Sequence, residues 1–445
     1  MNFAIVRYLI GWMLGIESIF LLLPALTAVI YGEAELPAYL TAAAISLAGA
    51  ALLCHRKPKN TRFYAREGYV TVALCWLVLA VIGALPFVLS REIPFFIDAL
   101  FETVSGFTTT GATILGDVEA LSHASMLWRC LTHWVGGMGV LVFMLIVLPL
   151  AGGQTIFLMR AESPGPAVSK MSPHMRDTAT ILYAIYFGLT VFQMILLLIG
   201  GMPFFDAICV SLGTAGTGGF GNWNDSIAHY NSAYLQNVIT VFMILFGINF
   251  SAYFLILTRK FRQAFRIEEI RVYLGVIFVF AGLIAFNVRP MFGSLRESFH
   301  HALFQVASII TTTGFSTVDF DQWPTFSRAL LVLLMFIGAC AGSTGGGIKC
   351  SRILLLGKSV KKEMMCLIHP RLVRVNKMDG QRVPHEVMRS INVFVVAYAF
   401  IFILSLLIIS LNCEDLVTCF TSVATTLNNV GPGLSLCGPT CNFDF

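Results

Sequence analysis

The chain has 445 residues, of which 57% are hydrophobic and 12% are charged, and its formal net charge is +5. Soluble domains carry about 25% charged residues, so this composition excludes a soluble protein and predicts an all-α integral membrane protein. The basic residues lie between apolar segments rather than in one patch, which argues against a nucleic-acid partner. The eleven cysteines are scattered, with no CxxC pair or His/Cys cluster at metal-ligand spacing.

The chain begins with two long apolar segments, Phe3 to Ile30 and Ala38 to Cys54, and no short apolar segment separates them. We interpret residues 1–67 as an N-terminal two-helix extension at the periphery. A pattern of long, short and long apolar segments then repeats. It predicts pore units at residues 68–160, 161–258 and 259–362 and an incomplete fourth unit at residues 363–445. Four similar units in one chain indicate a pseudo-fourfold assembly.

Each unit predicts a helix, a re-entrant segment and a second helix. The long segments are Tyr69 to Leu89, Leu127 to Leu150, Ile181 to Ile199, Tyr234 to Leu257, Val272 to Val288, Ala329 to Leu356 and Ile391 to Leu411. The short segments are Phe95 to Gly111, Phe204 to Gly219, Phe299 to Gly314 and Leu416 to Gly431. A spanning helix needs about 20 apolar residues, so the short segments are predicted to be re-entrant. The fourth unit has no closing helix, and we expect a truncated reading frame. A wall supplied by a partner and an inactive fragment are the alternatives.

The short segments align without gaps on one glycine each, and the two residues before that glycine are never charged. The aligned positions are Thr109, Thr110 and Gly111; Thr217, Gly218 and Gly219; Thr312, Thr313 and Gly314; and Asn429, Val430 and Gly431. Non-helical backbone at membrane depth is tolerated only where protein buries it or where it lines a water-filled cavity. Four such loops that meet on one axis would line a pore, and their backbone carbonyls would replace the water shell of a cation. The lack of carboxylates favours a monovalent ion. The alternative is four glycine kinks that only pack helices.

A second glycine-rich stretch interrupts the predicted span from Ala329 to Leu356. It consists of Gly342, Ser343, Thr344, Gly345, Gly346 and Gly347. Each glycine inside a helix costs about 1 kcal/mol relative to alanine, so the stretch predicts a flexible intramembrane loop beneath the filter that acts as a gate. A contact between helices through small residues is the alternative.

The distribution of basic residues predicts the orientation of the chain in the membrane. Most of the 29 Lys and Arg lie at the N-terminus or in loops that follow alternate spans. The exceptions are Arg91, Arg129, Arg289, Arg296 and Arg328. The positive-inside rule therefore places the N-terminus and those loops in the cytoplasm, and the four glycine loops enter from outside.

Four polar residues outside the aligned positions have candidate roles. His133 and Trp134 lie in the outer part of the helix after the first loop, where packing or interfacial anchoring is favoured over contact with an ion. Asp98 and Asp206 occupy matching positions. We interpret them as helix-start residues that accept bonds from backbone amides, with attraction of cations to the outer mouth as the alternative.

Two further features lie in the last third of the chain. The basic segment from Lys358 to Arg389 is a topology signal in the simpler interpretation and a docking site for a regulatory protein in the other. Cys437 and Cys441 are predicted on the outer side of the membrane. A disulfide between them is one alternative, and two free thiols are the favoured one.

Several of these motifs together resemble those of the Trk-type potassium uptake proteins, whose superfamily includes the Ktr and HKT transporters. The matching phrases are TTTGAT (Thr108 to Thr113), HWVGGMG (His133 to Gly139), GTGGF (Gly216 to Phe220), TTTGFST (Thr311 to Thr317), GACAGSTGGGIK (Gly338 to Lys349) and NNVGPG (Asn428 to Gly433). The resemblance covers nearly the whole chain. It implies that the four aligned glycines are the selectivity glycines, and the glycine at position 111, where a serine goes with sodium permeation, argues for potassium.

The same resemblance implies a potassium-translocating subunit of a bacterial inner membrane, which binds no organic cofactor. Such subunits form homodimers and bind a cytoplasmic, TrkA-type nucleotide-binding regulator. The sequence departs from the family after the fourth filter, because it ends in CGPTCNFDF without the last inner helix and its pore-facing arginine. A secondary transporter for another cation or a small solute is the runner-up function, because broken helices also build transporter sites. A membrane enzyme ranks third, since no nucleophile, base and orienting residue form a motif.

Overall fold

The architecture comes from a computed structural model that describes residues 2–58, 64–139, 175–369, 371, 375–412 and 415–444. The helices in these ranges are α1 (Phe3–Tyr31), α2 (Leu36–Cys54), α3 (Ala65–Ser90), α4 (Phe96–Phe107), α5 (His123–Gly137), α6 (Met175–Ile199), α7 (Phe204–Gly216), α8 (Ala233–Phe246), α9 (Phe250–Leu257), α10 (Phe261–Ala264), α11 (Glu268–Phe292), α12 (Leu295–Ile310), α13 (Thr325–Met335), α14 (Cys350–Ile368), α15 (His385–Ile409) and α16 (Leu416–Asn428). The strands β1 (Lys377–Met378) and β2 (Gln381–Arg382) form an antiparallel hairpin.

Six described helices, α1, α2, α3, α6, α11 and α15, are long and apolar enough to cross a membrane. The helices α8 and α9 pass the same test as a pair. Large apolar side chains cover the outside of these helices; Phe286 is 75% exposed and Phe400 is 68% exposed. Helices satisfy their backbone polar groups internally, so they can present such side chains to lipid. The chain is therefore an all-α, multi-pass membrane protein, and the fold class predicted from composition is confirmed.

The N-terminal helices α1 and α2 pack along each other and against α3 and α5. The hydroxyl of Ser18 donates to the Ala43 carbonyl (3.0 Å), and that of Ser46 donates to the Leu14 carbonyl (2.8 Å). A Cβ atom on Gly11 would lie 2.9 Å from Leu53 Cβ. Small residues thus let the two backbones approach closely, as they do in other membrane helix pairs.

The four predicted re-entrant segments form the short helices α4, α7, α12 and α16, of 12, 13, 16 and 13 residues. Each short helix packs against the long helices of its own unit, for example α4 against α3 and α12 against α11. The helix that follows each of the first three glycine loops also packs against the short helix of the next unit, in the pairs α5 with α7, α8 with α12, and α13 with α16. The units therefore interlock around a common centre.

The predicted span from Tyr234 to Leu257 is not one continuous helix. The helix breaks after α8, and α9 leaves at 93°. The Gly247 carbonyl accepts from the Cys340 amide (3.0 Å), and the Phe250 amide donates to the Gly342 carbonyl (2.9 Å). Backbone groups at the break therefore bind the glycine-rich loop between α13 and α14 instead of continuing a helix.

Two other predicted spans, Ala329 to Leu356 and Leu127 to Leu150, also follow glycine loops. The predicted interruption between Ala329 and Leu356 is present, because α13 ends at Met335 and α14 begins at Cys350. The helix α14 continues beyond the predicted end, to Ile368. Of the predicted span Leu127 to Leu150, the part from residue 140 onward lies outside the described residues, and α5 covers its beginning.

Candidate functional site

The four short helices end in the same hydrogen-bonded backbone geometry. The segments that follow them are loop 1 (residues 109–112), loop 2 (217–220), loop 3 (312–315) and loop 4 (429–432). The first amide of each loop donates three residues back, over 3.0–3.3 Å, in the pairs Thr109 to Gly106, Thr217 to Thr214, Thr312 to Ile309 and Asn429 to Thr426. The second amide donates five residues back, over 2.8–3.0 Å, in the pairs Thr110 to Ser105, Gly218 to Gly213, Thr313 to Ser308 and Val430 to Thr425. The sequence alignment is thus also a structural one.

The backbone of each loop alternates in handedness. The first residue of each loop has φ between 56° and 59°, and the glycine two positions later has φ between 76° and 92°. The residue between them keeps a negative φ. This alternation turns successive backbone carbonyls toward the same side of each loop. Threonine at positive φ is strained, so the surrounding packing must hold it there.

The four loops close into a ring through their glycines. A Cβ atom on Gly111 would meet the Gly218 carbonyl oxygen, one on Gly219 the Thr313 oxygen, one on Gly314 the Val430 oxygen, and one on Gly431 the Thr110 oxygen. The contact would be closer than 3.0 Å for the first three glycines and 3.0 Å for Gly431. Each glycine therefore faces the carbonyl that precedes the glycine of the next loop, in the order 1, 2, 3, 4 and back to 1.

Cavities lie on both sides of this ring. One of them, called the outer cavity after the predicted orientation, has about 450 Å³ and is lined by all four loop glycines and by residues 438–444. The other, called the inner cavity on the same basis, has about 670 Å³ and is lined by Thr109, Asn429 and residues 342–349. The twelve predicted loop residues thus form one ring, and the six predicted gating residues line the cavity beneath it.

Serine hydroxyls brace two of the loops from behind. Ser105 Oγ donates to the Ala112 carbonyl (2.5 Å), and Ser308 Oγ donates to the Phe315 carbonyl (2.6 Å). Both serines stand six residues before the loop glycine. In loop 2 the matching residue is Gly213, and the Phe220 carbonyl oxygen lies 2.9 Å from where its Cβ would be.

A buried ion pair supports loop 1. Arg129 Nε lies 2.7 Å from Glu102 Oε1, and both side chains are 2% exposed or less. The same carboxylate accepts from Thr113 Oγ1 (3.0 Å) and from the Ile114 amide (3.1 Å). The Arg129 guanidinium also lies 4.1 Å from the centre of the Phe220 ring, which joins loop 1 to loop 2. The sequence assigned Arg129 only to the outer side and gave no role to Glu102.

His133 has the packing role that the sequence favoured. It is fully buried, its Nδ1 lies 2.8 Å from the Gly106 carbonyl oxygen, and its ring lies against Phe220. Trp134 also packs internally, where it stacks on Tyr186 and donates to Thr190 Oγ1 (3.2 Å).

The role predicted for Asp206 is wrong. It lies in the first turn of α7, but its carboxylate accepts from the side chains of Asn222 (2.7 Å), Trp223 (3.3 Å) and Tyr230 (2.7 Å). The N-cap position of α7 is occupied by Pro203, which makes no side-chain capping bond. Asp206 therefore anchors the segment that follows loop 2. Asp98 lies in the first turn of α4 and is half-buried.

The loop between α13 and α14, residues 336–349, lies directly beneath the ring. The Gly346 amide donates to Thr312 Oγ1 of loop 3 (2.6 Å), and Thr344 Oγ1 donates to the Phe246 carbonyl (3.2 Å). A Cβ atom on Gly346 would lie 2.7 Å from the Asn428 carbonyl oxygen. Lys349 folds back and donates to the Gly345 carbonyl. The loop is therefore closely packed against the inner ends of loops 3 and 4.

Glu269 of α11 binds the backbone on either side of the stretch from Gly342 to Gly347, and sequence reasoning missed it. Its Oε1 accepts from the Ala341 amide (2.7 Å) and from the Ser351 amide (2.9 Å), and the side chain is buried. The available signal was a carboxylate at the edge of an apolar span, where ionisable residues are rare. From the sequence, Glu269 was instead assigned to the charged loop that precedes the predicted span Val272 to Val288.

Loop 4 is braced by the segment that follows it. Thr421 Oγ1 contacts Cys437 Sγ (3.3 Å), and the Phe443 amide donates to the Thr113 carbonyl (2.9 Å). No disulfide joins Cys437 to Cys441, as the sequence favoured. Asp117 and Asn224 lie outside the membrane-spanning helices, in the segments after loops 1 and 2. A hydrogen bond from Asn224 Nδ2 (2.8 Å) joins these segments and lowers the pKa of Asp117. No cluster of three His, Cys, Asp or Glu suited to a resident metal occurs among the described residues.

Comparisons with known proteins agree with this architecture. Residues 38–442 match the TrkH family, described as a cation transport protein. The "Trk system potassium uptake protein TrkH" of Salmonella typhimurium is 37% identical over 98% of this chain and 92% of that protein. The "Trk system potassium uptake protein TrkG" of Escherichia coli strain K12 is 33% identical over 96% of this chain and 90% of that protein. A crystal structure of the potassium transporter TrkH from Vibrio parahaemolyticus superimposes with a TM-score of 0.89 at 32% identity, over 100% of this chain and 93% of that chain. The chain therefore belongs to the TrkH family of cation transport proteins.

Proposed function

We propose that this chain moves potassium ions across the membrane through the ring formed by loops 1 to 4, as a component of a Trk system. The observation that carries the proposal is the ring itself, in which each loop glycine faces a backbone carbonyl of the next loop. The relatives named as potassium uptake proteins support potassium as the ion. The chain is a transporter and not an enzyme.

The chemistry of the ring suits a dehydrated cation. Backbone carbonyls can replace the hydration shell of a potassium ion, and the aligned positions carry no charged side chain. The C-terminal ends of α4 and α16 border the inner cavity at Thr108 and Asn428. The partial negative charge at a helix C-terminus favours a cation there. Thr109 to Gly111 and the matching residues of the other loops are thus the proposed ion ligands.

The loop from Gly342 to Gly347 is proposed as the gate. It lines the inner cavity and donates to Thr312, so it lies on the path below the ring. Ions pass when this loop moves away from loops 3 and 4. We further propose a cytoplasmic N-terminus in a bacterial inner membrane, a homodimer, and a TrkA-type regulatory partner, on the grounds of charge distribution and family resemblance.

Rubidium tracer uptake tests the proposal in cells that lack their own potassium uptake systems and carry a Trk regulator. We compare the native chain with Gly314→Asp, which places a carboxylate in the ring. The matched control is Gly275→Ala, because a Cβ atom there meets no atom within 4 Å.

The native chain and the control are expected to take up rubidium, whereas Gly314→Asp falls to background. Native uptake that survives in Gly314→Asp would overturn the ring as the pathway. A native chain that is present in the membrane but takes up no rubidium would overturn potassium as the ion and favour a transporter of another solute.

A further inference from the structure

A third cavity, of about 870 Å³, lies at the N-terminal end of α11. Its walls come from α9, from α10 and the residues around it, from the first turn of α11, and from the turn of the β1–β2 hairpin. The start of a spanning helix is a place where the protein leaves the hydrocarbon and meets lipid headgroups. The cavity therefore lies at the level of a membrane surface.

Three cations line this cavity and have no carboxylate partner. They are Lys260, Arg266 and Arg271, all of which are exposed. None of them forms an ion pair with any residue that the structure describes, although Arg271 Nη2 donates to the Arg266 carbonyl (3.1 Å). Their charge is available to an anion from outside the chain.

The two carboxylates in the cavity wall are already engaged. Glu268 forms an ion pair with Lys358, and Asp379 Oδ1 accepts from the Glu268 amide (2.7 Å). The cavity therefore presents a net positive charge to a ligand.

Part of the cavity wall is apolar. Phe254, Leu255 and Ile267 line it together with the cations. Beside it, Phe261 is 51% exposed and Phe265 is 68% exposed. Aromatic side chains next to basic ones are typical of segments that lie at a membrane interface. A soluble phosphate compound would make no use of these exposed rings, whereas a lipid would cover them.

We propose that this cavity binds the headgroup of an anionic phospholipid. The phosphate lies among Lys260, Arg266 and Arg271, and an acyl chain covers Phe254 and Leu255. Basic pockets beside membrane helices bind anionic headgroups in this way in other proteins.

The site is joined to the centre of the protein through α9. The Phe250 amide at the start of α9 donates to the Gly342 carbonyl of the α13–α14 loop (2.9 Å). Bound lipid therefore restrains the helix that contacts this loop. An effect of the lipid on transport rests on the proposed function, whereas its binding does not.

Native mass spectrometry of the purified full-length chain tests the binding directly. The chain is mixed with phosphatidylglycerol or with phosphatidylcholine, and retained lipid is counted. The test variant combines Lys260→Gln, Arg266→Gln and Arg271→Gln. The matched control combines Lys361→Gln, Lys362→Gln and Arg382→Gln, which remove the same charge outside the cavity.

The native chain and the control are expected to retain phosphatidylglycerol in preference to phosphatidylcholine. Each cation contributes about fivefold in affinity for an anionic lipid, so the test variant loses roughly a hundredfold. Equal losses in both variants would mean a general effect of surface charge and would overturn the site. Retention of phosphatidylglycerol by the test variant, or no preference by the native chain, would overturn it as well. Displacement of the lipid by millimolar inorganic phosphate would reassign the site to a soluble phosphate.

Discussion

The four glycine loops and the α13–α14 loop both place non-helical backbone at the centre of the protein, but they are held in different ways. The bonds that shape each glycine loop join residues close in sequence, such as Ser105 Oγ to the Ala112 carbonyl, seven residues apart. The α13–α14 loop has local bonds too, such as Lys349 to the Gly345 carbonyl, but the bonds that join it to the rest of the protein come from partners far away in sequence. Thr312 lies 34 residues from Gly346, and Phe246 lies 98 residues from Thr344.

This difference indicates how the two regions divide their tasks. The four loops of the ring repeat the same local bonds. The ring is rigid, because an atom added to the glycine of one loop would collide with a backbone carbonyl of the next loop. The α13–α14 loop is joined to the rest of the protein by separate bonds to Glu269, Thr312, Phe246, Gly247 and Phe250. All of these partners except Thr312 lie outside the ring. A rigid ring beside a loop with separable restraints suits selection in one place and gating in the other.

The largest effect is expected from an alanine in the ring. In Gly219→Ala the Cβ atom would lie closer than 3.0 Å to the Thr313 carbonyl, at a φ of 80° that alanine rarely adopts. We expect rubidium uptake at background level, with the protein still present in the membrane. In Gly431→Ala the Cβ atom would lie 3.0 Å from the Thr110 carbonyl, and we expect a smaller loss.

The control for both ring variants is Gly275→Ala, which is expected to keep native uptake. Equal uptake by Gly219→Ala and the native chain would mean that the ring tolerates displacement and would remove the contrast with the α13–α14 loop. A larger loss in Gly431→Ala than in Gly219→Ala would show that contact with the next loop does not set the effect.

The sequence predicted the ring more fully than the α13–α14 loop for a physical reason. The geometry of each glycine loop depends on the aligned glycine and on the residues two and six positions before it. Because these positions repeat four times in the chain, an alignment of the sequence with itself reveals them. The bend between α8 and α9 and the role of Glu269 depend on residues 72 to 93 positions away, such as Ala341 for Glu269 and Cys340 for Gly247. No periodicity in one sequence reveals such partners. The Glu102–Arg129 pair was missed because the sequence analysis used charged residues only to assign loops to one side of the membrane.

The second largest effect is expected at the ion pair behind loop 1. Arg129→Met leaves the carboxylate of Glu102 buried without its cation, and removal of one partner of a buried pair costs about 3–5 kcal/mol. We expect a lower midpoint of thermal unfolding in detergent and reduced uptake. Adding Glu102→Gln should restore part of the stability, since glutamine still accepts from Thr113 and Ile114. A double variant no more stable than the single one would contradict this account.

An increase in flux, rather than a loss, is expected at Glu269. Glu269→Ala removes the acceptor for the Ala341 and Ser351 amides, each of which costs about 1–3 kcal/mol when left unpaired. The α13–α14 loop should then leave the path more often, and uptake without the regulator should rise several-fold. Glu269→Gln keeps an acceptor oxygen and should stay near native uptake.

The readout for Glu269 is the ratio of uptake without the regulator to uptake with it, measured at equal amounts of protein in the membrane. A purely structural role would lower both values together. A ratio that stays constant in Glu269→Ala would therefore refute the restraint.

The smallest effect is expected at the single bond that joins the two regions. Thr312→Val keeps the shape of the side chain but removes the oxygen that accepts from the Gly346 amide (2.6 Å). One neutral hydrogen bond contributes about 0.5–1.5 kcal/mol, so regulator-independent uptake should rise about two- to tenfold, less than in Glu269→Ala. Thr312→Ser keeps the hydroxyl and should behave as the native chain. Because Thr312 is also the first residue of loop 3, the ratio of rubidium to sodium uptake separates the two regions: an unchanged ratio assigns the effect to the α13–α14 loop, and a changed ratio assigns it to the ring.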